Sequence, residues 1–210
     1  MNTPLQNPAP SLTEPAWEVA YLFPSQGSWS EEEYLALKGN RLVEFSHGFI
    51  EVLPMPTTAN QLIVGFLYLV IQDFVAARGL GTLVFAPLRV RLWPGKFREP
   101  DLAFLFSQHR DRMGNEFWEG ADLVMEVVSD DDRRRDLETK RREYAQARIP
   151  EYWIVDPQDR RISVLKLSGD RYAEHGLFGT GSRAGSLLLA GLEVEVASVF
   201  AASAEAGAGK

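Results

Sequence analysis

Four side chains within forty positions have the types, and fall in the order, that phosphodiester hydrolysis requires: Asp101 after Glu99-Pro100, then Glu126, then Asp136 with Lys140. Two carboxylates carried by neighbouring strands can hold a divalent cation, which neutralises a phosphate and lowers the pKa of a bound water. An amine facing the same point adds positive charge as the bond breaks. Each element also has an ordinary reading. Pro100-Asp101 alone serves as a strand entry, because proline imposes an extended approach. Asp136 and Lys140 stand four apart, as an exposed helical ion pair does, and the run from Asp130 to Glu143 holds six acids and six bases. Glu126 is the stronger signal. It lies inside Leu123-Val124-Met125-Glu126-Val127-Val128, where a carboxylate is costly to bury unless it is paired or bound to a metal.

The rest of the composition narrows the chemistry. Cysteine is absent, which removes disulfides, thiolate metal sites and cysteine nucleophiles together. The three histidines, His47, His109 and His175, are scattered and form no zinc-type pair. A metal here is therefore expected to be hard, Mg2+ or Mn2+ on carboxylates. A net charge of −7 argues against a chain that coats nucleic acid through a broad positive field. It leaves room for an acidic metal site.

Elements that could position these residues follow from patterning. With 210 residues, 45% of them hydrophobic, the chain is expected to form one domain over residues 16–200, between a disordered segment 1–15 and a disordered tail 201–210. The start lacks the pattern of a secretory signal, so a cytoplasmic location is expected. The longest apolar run, Leu62 to Ile71, is shorter than the roughly 20 residues of a membrane span and reads as a buried helix. Ser30 with Glu33 predicts a capping box, stapled by Trp29 and Tyr34. Residues 41–53 predict a hairpin turning near Ser46, His47 and Gly48. Thr58 opens a helix ended by Gly79 and Gly81, with apolar residues on enough of its surface to predict cover on more than one face.

Strands are predicted at 82–85, 88–92, 101–106, 122–128 and 152–155, a charged helix at 134–147, and a final hairpin at 162–167 and 172–177. The fold class is α/β (α+β): a mixed sheet flanked by helices, with N- and C-terminal hairpins and the helix 134–147 crossing between neighbouring strands. That helix carries Asp136, Lys140 and Tyr144 on one face. Arg89, Arg91, Lys96 and Arg98 read as the wet face of a strand, or else as a track for a phosphate backbone.

Five ordered motifs carry a family resemblance: Arg41-Leu42-Val43-Glu44 with Gly48, Glu99-Pro100-Asp101, Met125-Glu126-Val127-Val128-Ser129, Asp136 with Lys140 and Tyr144, and Ile149-Pro150-Glu151-Tyr152-Trp153-Ile154-Val155-Asp156-Pro157. From about Ser30 to about Phe200 the chain resembles the Uma-two family of restriction-endonuclease-like proteins. The resemblance implies a PD-(D/E)XK nuclease core, Mg2+ dependence, cleavage of DNA and a homodimer. It also implies metal binding by Asp101 and Glu126, assistance from Lys140, and a further acidic position at Glu44. Val128 stands where the standard motif has lysine, Asn60 where the family commonly has histidine, and Arg148 where it commonly has glycine.

The expected function is thus a metal-dependent endonuclease acting on DNA, with no membrane partner and no organic cofactor. The alternative is a nuclease-fold module without turnover, acting as a dimeric binding or interaction component. Hydrolysis of another phosphoester would use the same residues.

Overall fold

The computed structural model describes residues 23–37, 42–130 and 132–204. The expected loose segment 1–15 and most of the tail lie outside the described residues.

The first helix, α1 (Glu31–Ala36), begins where the capping box predicts: the Ser30 N–H donates to Glu33 at 2.8 Å, and Ser30 Oγ accepts from the Glu33 N–H at 3.1 Å. Trp29 and Tyr34 share a small core with Phe45 and Phe97. The N-terminal hairpin is β1 (Val43–Ser46) and β2 (Phe49–Val52), turning through His47 and Gly48. It joins β4 (Val90–Trp93), β5 (Lys96–Arg98) and β7 (Trp118–Glu119) in a five-stranded sheet ordered β2-β1-β5-β4-β7. Strand β5 was not legible in the sequence, because Lys96-Phe97-Arg98 is too short and too charged a run to read as a strand; all three of its residues are buried.

The second sheet has six strands, ordered β11-β10-β9-β8-β6-β3. These are β3 (Gly81–Phe85), β6 (Leu102–Phe106), β8 (Leu123–Val127), β9 (Glu151–Asp156), β10 (Arg161–Ser168) and β11 (Arg171–Gly179). β8 and β9 are parallel and joined by the crossover helix, while the other pairings are antiparallel. The result is the expected mixed sheet with helices against it. A small hairpin, β12 (Arg183–Gly185) and β13 (Glu193–Glu195), leads into a C-terminal helix.

The long helix α2 (Thr58–Arg78) ends on Gly79 in the left-handed region, φ 60°. It buries one stripe, Ile63, Leu67, Ile71 and Val75, against one face of the six-stranded sheet. Cover on more than one face was expected, but within this chain Leu69 on the other side is 68% exposed. Taken whole, the helix is long and apolar enough to cross a bilayer by length and composition, more than its longest apolar run suggested. Here its buried stripe is core.

The opposite face of the sheet carries Ala103, Leu105, Val124, Val128, Tyr152 and Ile154, closed over by Tyr144 and Ala145 of the crossover helix. That helix is not α-helical throughout as expected. It enters as α over residues 133–134, Arg135–Lys140 is a π-helix, and Arg141–Gln146, here α3, is α again. Its end is a Schellman motif, with the Arg148 N–H on the Ala145 carbonyl and the Ile149 N–H on the Tyr144 carbonyl. Arg148 sits at φ 62°, a conformation that costs a side-chain-bearing residue but not glycine. Arg148→Gly is therefore expected to raise stability by about 0.5–1 kcal/mol in urea unfolding, although it loses the Arg148 hydrogen bond to the Gly169 carbonyl.

Candidate active site

The chemistry-bearing residues meet at one edge of the six-stranded sheet. β6 and β8 pair Leu102 with Met125, and the same antiparallel register carried one step further sets Asp101 across from Glu126. Side chains alternate along strands, so these two carboxylates rise from the face that also carries Ala103 and Val124, toward the crossover helix. Cross-strand neighbours of this kind have Cβ atoms about 4.5–5.5 Å apart. Asp101 Oδ2 accepts the Val127 N–H at 2.7 Å, which pins it to the neighbouring strand.

Lys140 arrives from the helix. It is 3% exposed, with Nζ 2.8 Å from Glu126 Oε2, 3.2 Å from Asp136 Oδ1 and 3.8 Å from Glu44 Oε1. The solvated ion pair that the spacing allowed is thus excluded. The π-helix that carries Lys140 widens the turn there; such segments concentrate at functional sites. Tyr144, one turn on, donates its hydroxyl to Glu126 Oε1 at 2.5 Å. Glu44, 1% exposed, is beneath the cluster: it pairs with Arg98 and accepts the Glu99 N–H. Glu126, Lys140, Asp136 and Glu44 are therefore gathered, with Asp101 beside them. Val128 turns into the apolar core, and Asn60 lines the cleft wall from the first turn of α2.

The basic strand residues follow neither expected reading. Arg98 is gripped by Glu44 and Glu143, and Lys96 by Glu143 at 2.7 Å. Arg89 donates to the carbonyls of Leu35 and Leu37, while Arg91 pairs with Glu31 and Glu119. They hold the five-stranded sheet against α1 and α3.

Burial dominates the protonation of the acids. It pushes Glu126 up to about 8 from the ordinary 4.5, with Asp101 and Asp136 adding to the rise and Lys140 opposing it. It pushes Asp101 up to about 6, again against Lys140 and the Val127 N–H. Burial acts on Glu44 in the same sense, but Lys140 and Arg98 outweigh it and hold that carboxyl below its usual range. Burial would lower the Lys140 amine, yet Glu126, Glu44 and Asp136 more than reverse this and keep it firmly charged. Glu99, beside Asp101, is pushed up to about 7 by burial, relieved in part by Arg89.

The cluster opens on a cleft of about 1380 Å3. One end presents Asp101, Glu126, Lys140 and Ser129, and the other wall is apolar, with Met55, Val64, Tyr68 and Phe85. Tyr68 and Phe85 meet edge to face at 5.0 Å.

Among the described residues, no three acids or histidines already converge as a finished metal cage. The donor set still suits a hard cation. Asp101 supplies hard oxygen on the cleft edge, and Glu126 stands across from it. Asp136 Oδ1 is paired with Lys140 at 3.2 Å, whereas Ser129 Oγ, which lines the cleft, is buried with no hydrogen-bond partner among the described residues, an unpartnered oxygen beside that donor set.

Asp136 and Tyr144 were legible as companions of Lys140 on one helix face, but their contacts with it and with Glu126 were not. Arg98 gave no signal as a buried partner of Glu44.

A family model for Uma2, described as "Putative restriction endonuclease", matches residues 31–197. Among solved structures, the chain is similar to the crystal structure of a "putative nuclease belonging to DUF820" from Anabaena variabilis ATCC 29413. The TM-score is 0.70, covering 83% of this chain and 99% of that one, at 16% identity. At that identity the likeness speaks to the fold. No curated protein matches the chain.

Proposed function

Since the chain belongs to the Uma2 family of restriction-endonuclease-like proteins, we propose that it is a metal-dependent endonuclease that hydrolyses phosphodiester bonds in DNA. One observation carries the reading: Asp101 and Glu126, cross-strand neighbours, face a cleft in which Lys140 Nζ stands 2.8 Å from Glu126. Asp101 and Glu126 would hold Mg2+ or Mn2+, which when bound offsets phosphate charge and makes a bound water acidic enough to attack. The chain's own residues prepare that site. The Val127 N–H leaves Asp101 one oxygen for the cleft. Tyr144 orients Glu126 by its short hydrogen bond. Lys140, held by three carboxylates, presents a fixed positive charge at the floor, where negative charge grows on the phosphate. Glu44, itself paired with Arg98, stands 3.8 Å from that amine. The aromatic wall of Tyr68 and Phe85 gives unstacked bases a surface. The exposed side of α2 supports a homodimer through that helix.

The test is nicking of supercoiled plasmid and cleavage of labelled oligonucleotides with Mg2+ or Mn2+. Cleavage is expected to require the ion, and Asp101→Ala to reduce it by about a thousandfold or more. Intact substrates with the wild-type chain under both ions and at low salt would defeat the reading.

A second reading, a nuclease fold without turnover, has its own observation: both oxygens of Glu126 are already engaged, by Tyr144 and Lys140, so the cluster is partly neutralised from within. Calorimetry separates the two. Carboxylate-dependent Mn2+ binding favours the enzyme, and its absence favours the silent module.

A further inference from the structure

A polyanionic substrate entering this cleft needs a cation that the acids have not consumed. Of the described residues lining it, Lys140 and Arg135 are the cations, and Lys140, which serves the reacting phosphate, is closely held by Glu126, Asp136 and Glu44, so neighbouring phosphates need a second cation. Arg135 is placed differently. It opens the π-helix and lines both the cleft and a polar groove of about 300 Å3, in which four arginines, Arg98, Arg134, Arg135 and Arg142, stand with the acids Glu51, Asp132 and Glu138.

Its guanidinium is 11% exposed and incompletely satisfied. Arg135 Nη1 meets Glu51 Oε1 at 3.1 Å, while Nε is buried with no hydrogen-bond acceptor among the described residues. The nearest carboxylate on that side, Asp136 Oδ1, is 3.9 Å away. A buried donor left open costs free energy. A guanidinium fork is shaped to give two parallel hydrogen bonds to one oxyanion group, which Glu51 does not take up.

Glu51 is the removable partner. It stands on β2, at the end of its sheet, with a side chain 53% exposed and a second, looser contact of 3.8 Å to Arg98. An ion pair with one half in water is weak and exchangeable.

We infer that Arg135 is the seat of a phosphate subsite beside the Asp101 and Glu126 pair, and that Glu51 fills it as an internal stand-in which a backbone phosphate of the nucleic acid displaces. The inference rests on the nuclease reading and adds to it where the strand is gripped. A phosphodiester in place of Glu51 would take the Nη1 and Nη2 end of Arg135, while Nε stays turned toward Asp136, with Arg142, exposed along the same groove, beside the next phosphate.

The experiment measures binding of a fluorescent single-stranded DNA oligonucleotide by anisotropy in EDTA, across a salt series, so that nothing is cut. Glu51→Gln is expected to tighten binding about fivefold, and Arg135→Gln to weaken it about tenfold and flatten the salt slope by about 0.7, one contact on a single strand. In the Arg135→Gln background, Glu51→Gln should then have no further effect. Glu174→Gln, an equal charge change at an exposed position on β11, should leave affinity unchanged. Glu51 is exposed, so its variant folds even if the Arg135 variant does not. The subsite is overturned if Glu51→Gln does no more than Glu174→Gln, or if it acts equally with and without Arg135. Cleavage of DNA by the wild-type chain, with binding unchanged in both variants, defeats the subsite alone. A wild-type chain that neither binds nor cuts defeats the nuclease reading and the subsite together.

Discussion

Lys140→Met is expected to lower the stability of the metal-free protein by about 3–5 kcal/mol and to reduce cleavage at least about a hundredfold. The two losses have one origin. Three carboxylates, on Glu126, Asp136 and Glu44, lie within 3.8 Å of a single buried amine. Deleting that amine leaves three buried carboxyl groups with no countercharge at their centre, and a buried charge that loses its partner is penalised more heavily than the pair was worth. Arg98 still compensates Glu44, so the damage should concentrate on Glu126 and Asp136. Asp101→Asn provides the contrast, because it removes a cleft-facing negative charge and keeps a group that can accept the Val127 N–H. It should lose cleavage with little loss of stability. Urea unfolding and plasmid nicking on the two variants check the pair. If Lys140→Met unfolds at the wild-type urea midpoint, the amine is not the electrostatic centre of the cluster.

Much of this site was legible in the chain because its signals are local. A glutamate embedded in five apolar residues declares that something must offset its burial. A Pro-Asp entering one strand and an acid-lysine pair four apart on a helix each name a position and a direction. The parallel β8–β9 pairing followed from a helix placed between two apolar runs, which needs a crossover. What stayed hidden is what depends on contacts distant in sequence. Arg98 and Lys96 look like solvent-facing residues in a short charged stretch, and only the fold shows that Glu143, some 45 positions on, meets them both. The π-helix was equally illegible. It adds one residue to a turn of a segment whose composition suits an ordinary α-helix, and the two residues it buries, Asp136 and Lys140, are charged. The exposed side of α2 shows the converse failure. Its composition predicted cover on two sides, but composition cannot say whether that cover comes from the same chain.

The response of stability to pH should be set by the carboxylates that burial raises, and a divalent cation should reverse it. Glu126 is pushed up to about 8 and Asp101 to about 6, so the folded chain retains protons that the unfolded chain has released by about pH 5. Between about pH 5 and 8 the folded state binds more protons than the unfolded one, and stability falls as pH rises through that window. The opposite contribution comes from carboxyls held below their usual range against burial, Glu44 by Lys140 and Arg98, Glu143 by Arg98 and Lys96, and Asp156 by Arg133 and neighbouring N–H groups; it is lost only at lower pH, as pH falls through those depressed folded values. The metal-free protein should therefore melt at a lower temperature at about pH 8.5 than at about pH 6. Mg2+ or Mn2+ at about a hundred times its Kd at about pH 8.5 should raise the melting temperature by roughly 5–10 °C there, and the same ion concentration should raise it by less at about pH 6, because binding at low pH must first expel protons. Glu126→Gln removes both halves at once: a neutral side chain of the same shape should make the metal-free protein more stable at about pH 8.5 and should abolish its response to the ion. Melting curves at two pH values, with and without Mn2+, distinguish this from a merely structural cluster, in which wild type and Glu126→Gln would respond to the ion alike.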